Sequence, residues 1–167
     1  MTPAVLTIRK AEAGDAELVI QFVHSLAEYE KLEGPSPEGE ARIREHGWGA
    51  DPRFEVLLGF EHDTPVGFAF FFYTYSTFAA RPTLYLEDLF VYPEYRGKGY
   101  GTALLQALAA EAHLHDCGRM DWMVLDWNQS AIDFYQSLGA ELMPGWELCR
   151  LQGDALIALG ASSRSSF

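Results

Sequence analysis

One short run of the chain is rich in glycine and reads Arg96-Gly97-Lys98-Gly99-Tyr100-Gly101-Thr102. Its three alternate glycines permit backbone angles closed to other residues, and a ligand can approach the main chain without meeting a Cβ atom. The run stands between a predicted strand over 83–91 and a predicted helix over 102–116. The free N–H groups at that helix start, together with Arg96 and Lys98, predict an anion site suited to phosphates. A glycine-rich turn without a ligand is the alternative that the run alone leaves open.

Two common nucleotide-binding motifs do not fit this run. A dinucleotide-binding fingerprint needs a third glycine three residues after the second, and Thr102 stands there. A P-loop needs a Gly-Lys-Ser/Thr triplet four residues after its first glycine, and the sequence has no such triplet. The phosphate site therefore has to be of another kind.

Length and composition are those of a globular protein. The chain has 167 residues, 49% of them hydrophobic and 22% charged, and we expect one domain over 1–160 with a flexible tail over 161–167. The sequence has no run near the roughly 20 apolar residues of a membrane span, and Arg9 and Lys10 precede any signal-like segment. Cys117 and Cys149 form no disulfide framework or metal motif. We therefore expect a cytoplasmic protein with no membrane partner.

Charge is strongly biased towards acids. The chain has 12 Lys and Arg residues against 24 Asp and Glu residues, a formal net charge of −12. Such a surface repels a phosphate backbone, so nucleic acid is excluded as a partner. It attracts a small cationic molecule, although the charge could equally serve solubility alone.

Hydrophobic periodicity predicts an α+β domain with a mixed sheet. Strands are predicted over 6–10, 54–60, 66–75 and 83–91, with helices from Asp15 to about residue 30 and from Ser36 to about residue 46. After the 102–116 helix we expect a buried strand over 119–125, a helix that Asn128 caps and that ends just before Gly139, a last strand over 146–152 and a short helical turn. Asp15, Ser36 and Asn128 are the predicted N-caps.

Three ordered motifs resemble the GNAT superfamily of N-acetyltransferases. They are Glu87-Asp88-Leu89-Phe90-Val91, the Arg-x-x-Gly-x-Gly pattern of residues 96–101, and Asn128-x-x-Ala131-x-x-Phe134-Tyr135-x-x-x-Gly139-Ala140. Ala27-Glu28-Tyr29-Glu30 and Val124-Leu125-Asp126-Trp127-Asn128 are similar to the branch with spermidine/spermine and thialysine (diamine) acetyltransferases. The resemblance implies the GNAT fold, a central mixed and mostly antiparallel twisted sheet flanked by helices.

The resemblance further implies acetyl-CoA as cosubstrate, without a metal. The pyrophosphate would lie on Arg96, Gly97, Lys98, Gly99, Tyr100, Gly101 and Thr102, and the pantetheine arm on the backbone of Leu89, Phe90 and Val91. Asn128 and Phe134 are candidates for contacts with the cofactor. Asn128 could instead be a simple helix cap.

By the same resemblance, Tyr135 is the general acid for the departing thiol, and Glu87 is the base or the anchor for the cationic amine. Position alone also allows Tyr135 to be a core aromatic residue. Glu87 and Asp88 are neighbours on a predicted strand, so we expect their side chains on opposite faces of the sheet. They should then be unable to form a carboxylate pair.

The acceptor would contact Glu87 and five further residues implied by the resemblance: Tyr29, Glu30, Asp121, Trp122 and Met123. Ser76 and Pro144 stand where spermidine/spermine enzymes carry acids, which favours a thialysine-like acceptor, with Ser76 a candidate contact. His113 and His115 face different directions on a helix and make a poor metal pair. The resemblance also implies a homodimer. Acetylation of protein lysines or amino termini, and a non-catalytic acyl-CoA-binding module, remain alternatives.

Overall fold

The protein, described for residues 6–162 in a computed structural model, consists of two compact units, Met1–Met123 and Val124–Phe167. The N-terminal unit contains β1 (Leu6–Lys10), α1 (Ala16–Glu30), α2 (Pro37–Trp48), β2 (Glu55–Glu61), β3 (Thr64–Ser76), β4 (Arg81–Val91), α3 (Tyr100–Leu114) and β5 (Arg119–Trp122). The C-terminal unit contains α4 (Gln129–Ser137) and α5 (Gly153–Ala161). In the described part of the chain, no helix is long and apolar enough to span a membrane.

The strands form one sheet in the order β1-β2-β3-β4-β5. The first three pairings are antiparallel and the β4–β5 pairing is parallel. This arrangement confirms the predicted mixed, mostly antiparallel sheet, including the hairpin between β2 and β3. The parallel pair arises because the chain crosses through α3 before it returns as β5.

Helices cover both faces of the sheet because strand side chains alternate in direction. On one face, α1 packs Val19, Phe22 and Leu26 against strand residues that include Leu58 and Phe68. On the other, Leu104, Leu105 and Leu108 of α3 are buried, and a Cβ at Gly59, the neighbour of Leu58, would lie 3.8 Å from a Leu104 methyl group. The candidate site lies on the α1 face.

Two of the three predicted caps act as expected. Ser36 accepts a hydrogen bond from the Gly39 amide at 3.2 Å, and Asn128 accepts one from the Ala131 amide at 3.3 Å. Asp15 stands at the N-cap of α1 but does not cap it. Its carboxylate pairs with Arg9 at 2.6 Å and accepts a hydrogen bond from the Glu12 amide at 2.8 Å, so it is already bound to the turn that precedes α1.

The prediction for the end of the chain is partly wrong. Strand β5 ends at Trp122 rather than at residue 125, and its residues are half-buried or exposed rather than buried. Residues 146–152 form no strand, and Trp146 is 80% exposed. The predicted helical turn is the nine-residue helix α5. An alternating pattern becomes a strand only where a neighbouring edge receives its hydrogen bonds. Of the predicted tail, residues 163–167 lie outside the described residues.

Candidate active site

A β-bulge in β4 sets the direction of the two adjacent acids. Phe70 of β3 pairs with Asp88, whereas the next residue, Phe71, pairs with Leu86, so Glu87 is the additional residue. The bulge interrupts the alternation of side chains and leaves Glu87 and Asp88 on the same face. The expectation that these two acids point to opposite faces is therefore wrong.

Both carboxylates line a cleft of about 450 Å³ beneath α1 and α2. The other lining residues are Val23, Ile43, Arg53, Phe54, Phe70 and Phe72. The volume lies within the range of sites for small molecules, roughly 300–1,000 Å³. Apolar and aromatic walls with two carboxylates at one side suit an aliphatic cation.

Asp88 occupies the more buried of the two acidic positions. Burial, followed by the negative charges of Glu87 and Glu30, raises the pKa of Asp88 to about 7. Burial also raises the pKa of Glu30, at the end of α1. The three carboxyl groups therefore interact electrostatically, and a bound cation would relieve their repulsion.

The side chain of Tyr29 packs against Phe90 and Arg96 within the N-terminal unit. Its ring lies 6.2 Å from that of Phe90, and the Arg96 guanidinium lies 4.4 Å above the Tyr29 ring. Arg96 also donates from Nε to the carbonyl oxygen of Val91 at 2.9 Å. These contacts fasten the start of the glycine run to the end of α1 and to β4.

The glycine run forms an open cradle at the start of α3. Gly97 and Gly99 have φ values of 77° and 83°, and a Cβ at either position would meet nothing within 4 Å. The helix begins at Tyr100, two residues before the predicted start, and its N-cap Gly99 provides no side chain to bind the first amides. Gly101 and Thr102 lie in this first turn. A phosphate group fits such a helix start.

Lys98 already has an acidic partner beside this cradle. Its Nζ lies 2.9 Å from Glu61 at the end of β2, and the Tyr100 hydroxyl also donates to Glu61. Glu61 therefore holds both side chains next to the first turn of α3. Its charge offsets part of the positive charge that the sequence places in the run.

The β5 side of β4 becomes open next to the bulge. Within residues 6–162 the parallel β4–β5 ladder joins Thr83 through Leu86 to Arg119 through Trp122 and stops there. Leu89, Phe90 and Val91 pair on their other side with β3. Their β5-facing backbone groups can thus receive an extended ligand as an added strand, apart from the Val91 carbonyl that Arg96 contacts.

Of the remaining residues predicted to contact the acceptor, some lie near the cleft and others lie far from it. Asp121 pairs in register with Tyr85, whose ring lies 5.2 Å from that of Phe72 in the cleft. Trp122 follows Asp121 and points to the opposite face, and Met123 is exposed. Ser76 lies four residues beyond Phe72 on β3, roughly 13 Å along the strand, and its hydroxyl accepts from the Ala79 amide.

In the C-terminal unit, Phe134 and Tyr135 lie side by side on α4 with ring centroids 5.3 Å apart. Both side chains are half-buried. Asn128 caps this helix and also accepts a hydrogen bond from the Ser130 hydroxyl at 3.1 Å. Asn128 therefore acts as the N-cap of α4. That Asn128, Phe134 and Tyr135 contact a cofactor stays a prediction.

Sequence reasoning missed Asp88 as part of the cleft, along with Arg53, Phe54, Phe70 and Phe72. The first omission came from assuming regular alternation along β4. One property of the sequence could have drawn attention to Arg53 as a site residue, since it is one of only 12 basic residues in an acidic chain. Within residues 6–162, no group of three His, Cys, Asp or Glu residues could hold a metal ion.

The sequence model of the acetyltransferase (GNAT) family matches residues 21–140, and the chain belongs to that family. A thialysine N-epsilon-acetyltransferase from Bos taurus is 35% identical over 164 residues, 92% of this chain and 96% of the relative. An L-ornithine N5-acetyltransferase from Arabidopsis thaliana is 47% identical over 93 residues, 56% of this chain and 41% of the relative. A solved integron cassette protein from Vibrio cholerae is 29% identical with a TM-score of 0.78, covering 94% of this chain and 98% of that chain.

These similarities confirm the family, the branch and the fold expected from the sequence. The protein is an acetyltransferase enzyme, and GNAT acetyltransferases use acetyl-CoA.

Proposed function

We propose that the protein transfers an acetyl group from acetyl-CoA to the primary amine of a small molecule: a thialysine-like amino acid, a diamine or a polyamine. One observation carries this proposal. The bulge in β4 brings Glu87 and Asp88 together in an aromatic cleft of a size that suits a small molecule. An aliphatic ammonium ion is the natural partner of such a site, since it pairs with the carboxylates while its hydrocarbon part covers the rings.

The donor would bind along α3 and β4. The open cradle at Gly97 and Gly99, together with the uncapped first turn of α3, fits a pyrophosphate. The unpaired edge of Leu89, Phe90 and Val91 fits the amide-bearing pantetheine arm. Bound acetyl-CoA supplies a thioester carbonyl carbon that a neutral amine can attack.

Glu87 and Asp88 would bind the incoming ammonium and accept its proton, directly or through a water. An ammonium with a pKa of about 10.4 gives up its proton more readily to a carboxylate of raised pKa than to an ordinary one. Asp88 meets that condition because burial raises its pKa to about 7. Glu87, which is more exposed, would then be the residue that attracts the cation.

Tyr135 would give its phenolic proton to the departing sulfur as the new C–N bond forms and the C–S bond breaks. A tyrosine with a pKa of about 10 and a thiol with a pKa of about 8.5 make this transfer uphill by roughly 2 kcal/mol. The assignment is supported by the position of Tyr135 inside the family-matched residues, on the helix that Asn128 caps.

The first experiment is a measurement of CoA release from acetyl-CoA with spermidine, putrescine, lysine, thialysine and a lysine-rich peptide. We expect turnover with at least one of the small amines. The Glu87→Gln/Asp88→Asn double variant should lose that turnover and still bind acetyl-CoA in a thermal-shift assay. Asp63→Asn, in the exposed turn between β2 and β3, is the matched control and should keep full turnover.

Two results would contradict the proposal. Turnover on the peptide alone would favour a protein acceptor. Binding of acetyl-CoA without turnover on any amine would favour a non-catalytic acyl-CoA-binding module.

A further inference from the structure

Arg53 is the one basic side chain among the eight residues that line the cleft in the described part of the chain. From its position we infer that Arg53 binds a carboxylate of the acceptor, so that the preferred acceptor is an ω-amino acid with an α-carboxylate. This inference rests on the proposed function and narrows its acceptor class. It assigns a specificity-determining role to a residue outside the three sequence motifs.

The cleft lining contains two stacked aromatic rings as well as Arg53 and the two acids. Phe54, which follows Arg53, stacks on Phe70 with ring centroids 4.0 Å apart. Phe70 is in turn the cross-strand partner of Asp88. Two aromatic residues, Phe54 and Phe70, therefore connect the chain at Arg53 to the acidic strand β4. A lining with a basic group, aromatic rings and carboxylates is complementary to a molecule with a carboxylate, an aliphatic chain and an ammonium group.

The backbone at Arg53 is fixed, although its side chain is available. The Arg53 amide donates to the His46 carbonyl at 2.7 Å near the end of α2. Phe54 is held between Phe70 and Trp48, whose ring lies 6.0 Å away. The guanidinium of Arg53 is 3.7 Å from Asp51, and these two side chains are 65% and 87% exposed. An ion pair this long and exposed contributes little, so a substrate carboxylate can replace Asp51.

Other arginines of the N-terminal unit are bound more tightly. Arg9 makes hydrogen bonds of 2.6 and 2.8 Å to both carboxylate oxygens of Asp15. Arg44 makes hydrogen bonds of 2.7 and 3.0 Å to both carboxylate oxygens of Glu17. Arg96 lies on the Tyr29 ring and bonds to the Val91 carbonyl. Arg53 combines a position in the cleft with a weak present partner, which is what a ligand-binding arginine requires.

The same charge would discriminate against diamines and polyamines. Diamines also carry two ammonium groups but lack the carboxylate, so their second ammonium group would meet the guanidinium of Arg53 with no negative charge beside it. Selectivity then comes from attraction of one substrate class and repulsion of the other. The named relatives that act on thialysine and on L-ornithine both use amino acids.

The test compares acceptors that differ by the carboxylate alone: L-lysine with cadaverine, and L-ornithine with putrescine. For the wild type we expect a higher kcat/KM with each amino acid than with its diamine. Arg53→Gln should lower kcat/KM for the amino acids roughly ten- to hundredfold and leave the diamines unchanged or improved, because it removes a charged hydrogen bond. Calorimetric titration of L-lysine into the CoA-saturated protein should show the same loss of affinity.

Arg42→Gln on the exposed side of α2 is the matched control and should leave both members of each pair unchanged. Arg53→Lys should restore part of the preference. An equal loss on amino acid and diamine, or an unchanged ratio, would overturn the role of Arg53 and leave the proposed function standing. Absence of turnover on every amine would overturn the proposed function and this inference together.

Discussion

Asp88 is half-buried near two other acids, Glu87 and Glu30, and the pKa of its carboxyl group is raised to about 7. Its usual pKa is about 3.9, so the native state binds this proton more tightly than the unfolded chain does. Native stability therefore falls as the pH rises from about 4 to about 7, and the full cost of ionisation is present above that range. This loss of native stability arises at a position where a bound cation would offset it.

We therefore expect Asp88→Asn to raise Tm at pH 8, on the order of 5 °C, because the substitution removes a buried charge. The gain should be much smaller at pH 4, where the wild-type carboxyl is protonated in the native state and about half protonated in the unfolded chain. Thermal melts of both proteins across this pH range measure the effect. Asp63→Asn should show no such trend, and an equal gain at both pH values would argue against a buried ionised Asp88.

Tyr135 is the second residue on which the proposed chemistry depends. Tyr135→Phe should lower the rate of acetyl transfer by roughly 10²–10⁴ and barely change the affinity for acetyl-CoA, because only the acidic hydroxyl is lost. Single-turnover kinetics and a binding titration separate the two effects. Tyr75→Phe, at a position that is 65% exposed, is the control. Unchanged turnover in Tyr135→Phe would remove this residue from the mechanism.

Among the secondary-structure elements, β4 has the greatest influence on the site. Its bulge places two acids on one face, and its pairing with β5 stops one residue before the bulge. The same strand thus provides both the acidic side of the cleft and an edge that an extended ligand can join. A regular strand of the same sequence would provide only one acid to the cleft.

Substitution of glycines in the turn from β4 into α3 tests whether this turn binds the pyrophosphate. Gly99→Ala should weaken acetyl-CoA binding at least tenfold and Gly99→Val should abolish it, since side chains disfavour the φ of 83° found there. Gly14→Ala is a matched control, because a Cβ there also meets nothing within 4 Å and no positive φ is required. Calorimetry with CoA measures both. Tight binding of CoA by Gly99→Val would exclude this turn as the pyrophosphate site.

For the molecule as a whole, the net charge of −12 creates a field that attracts cations. Raising the salt concentration from 50 to 500 mM should lower kcat/KM by several-fold for putrescine, which carries two positive charges, through screening. The loss should be smaller for L-ornithine, whose net charge is one unit lower. Initial rates across this salt range measure both slopes. A kcat/KM for putrescine that does not depend on salt would mean that the acidic surface does not guide substrates.

The C-terminal unit differs from the N-terminal unit in how little of it is buried. Within its described residues, Trp127, Met143, Trp146 and Ile157 are each more than half exposed. Residues 146–152, which the sequence predicted to be a strand, are exposed and form none. A homodimer stays a prediction from the resemblance, and light scattering of the purified protein tests it.

By itself the sequence determined the family, the mixed sheet, the glycine cradle and the acidic character of the site. These properties follow from local order along the chain: glycines before a helix, apolar periodicity, and motifs at fixed spacing. Only the tertiary structure decided that Glu87 and Asp88 share a face and that Arg53 lines the same cleft. Bulges and clefts arise from the register between strands and from packing between distant segments, which periodicity along one segment does not encode.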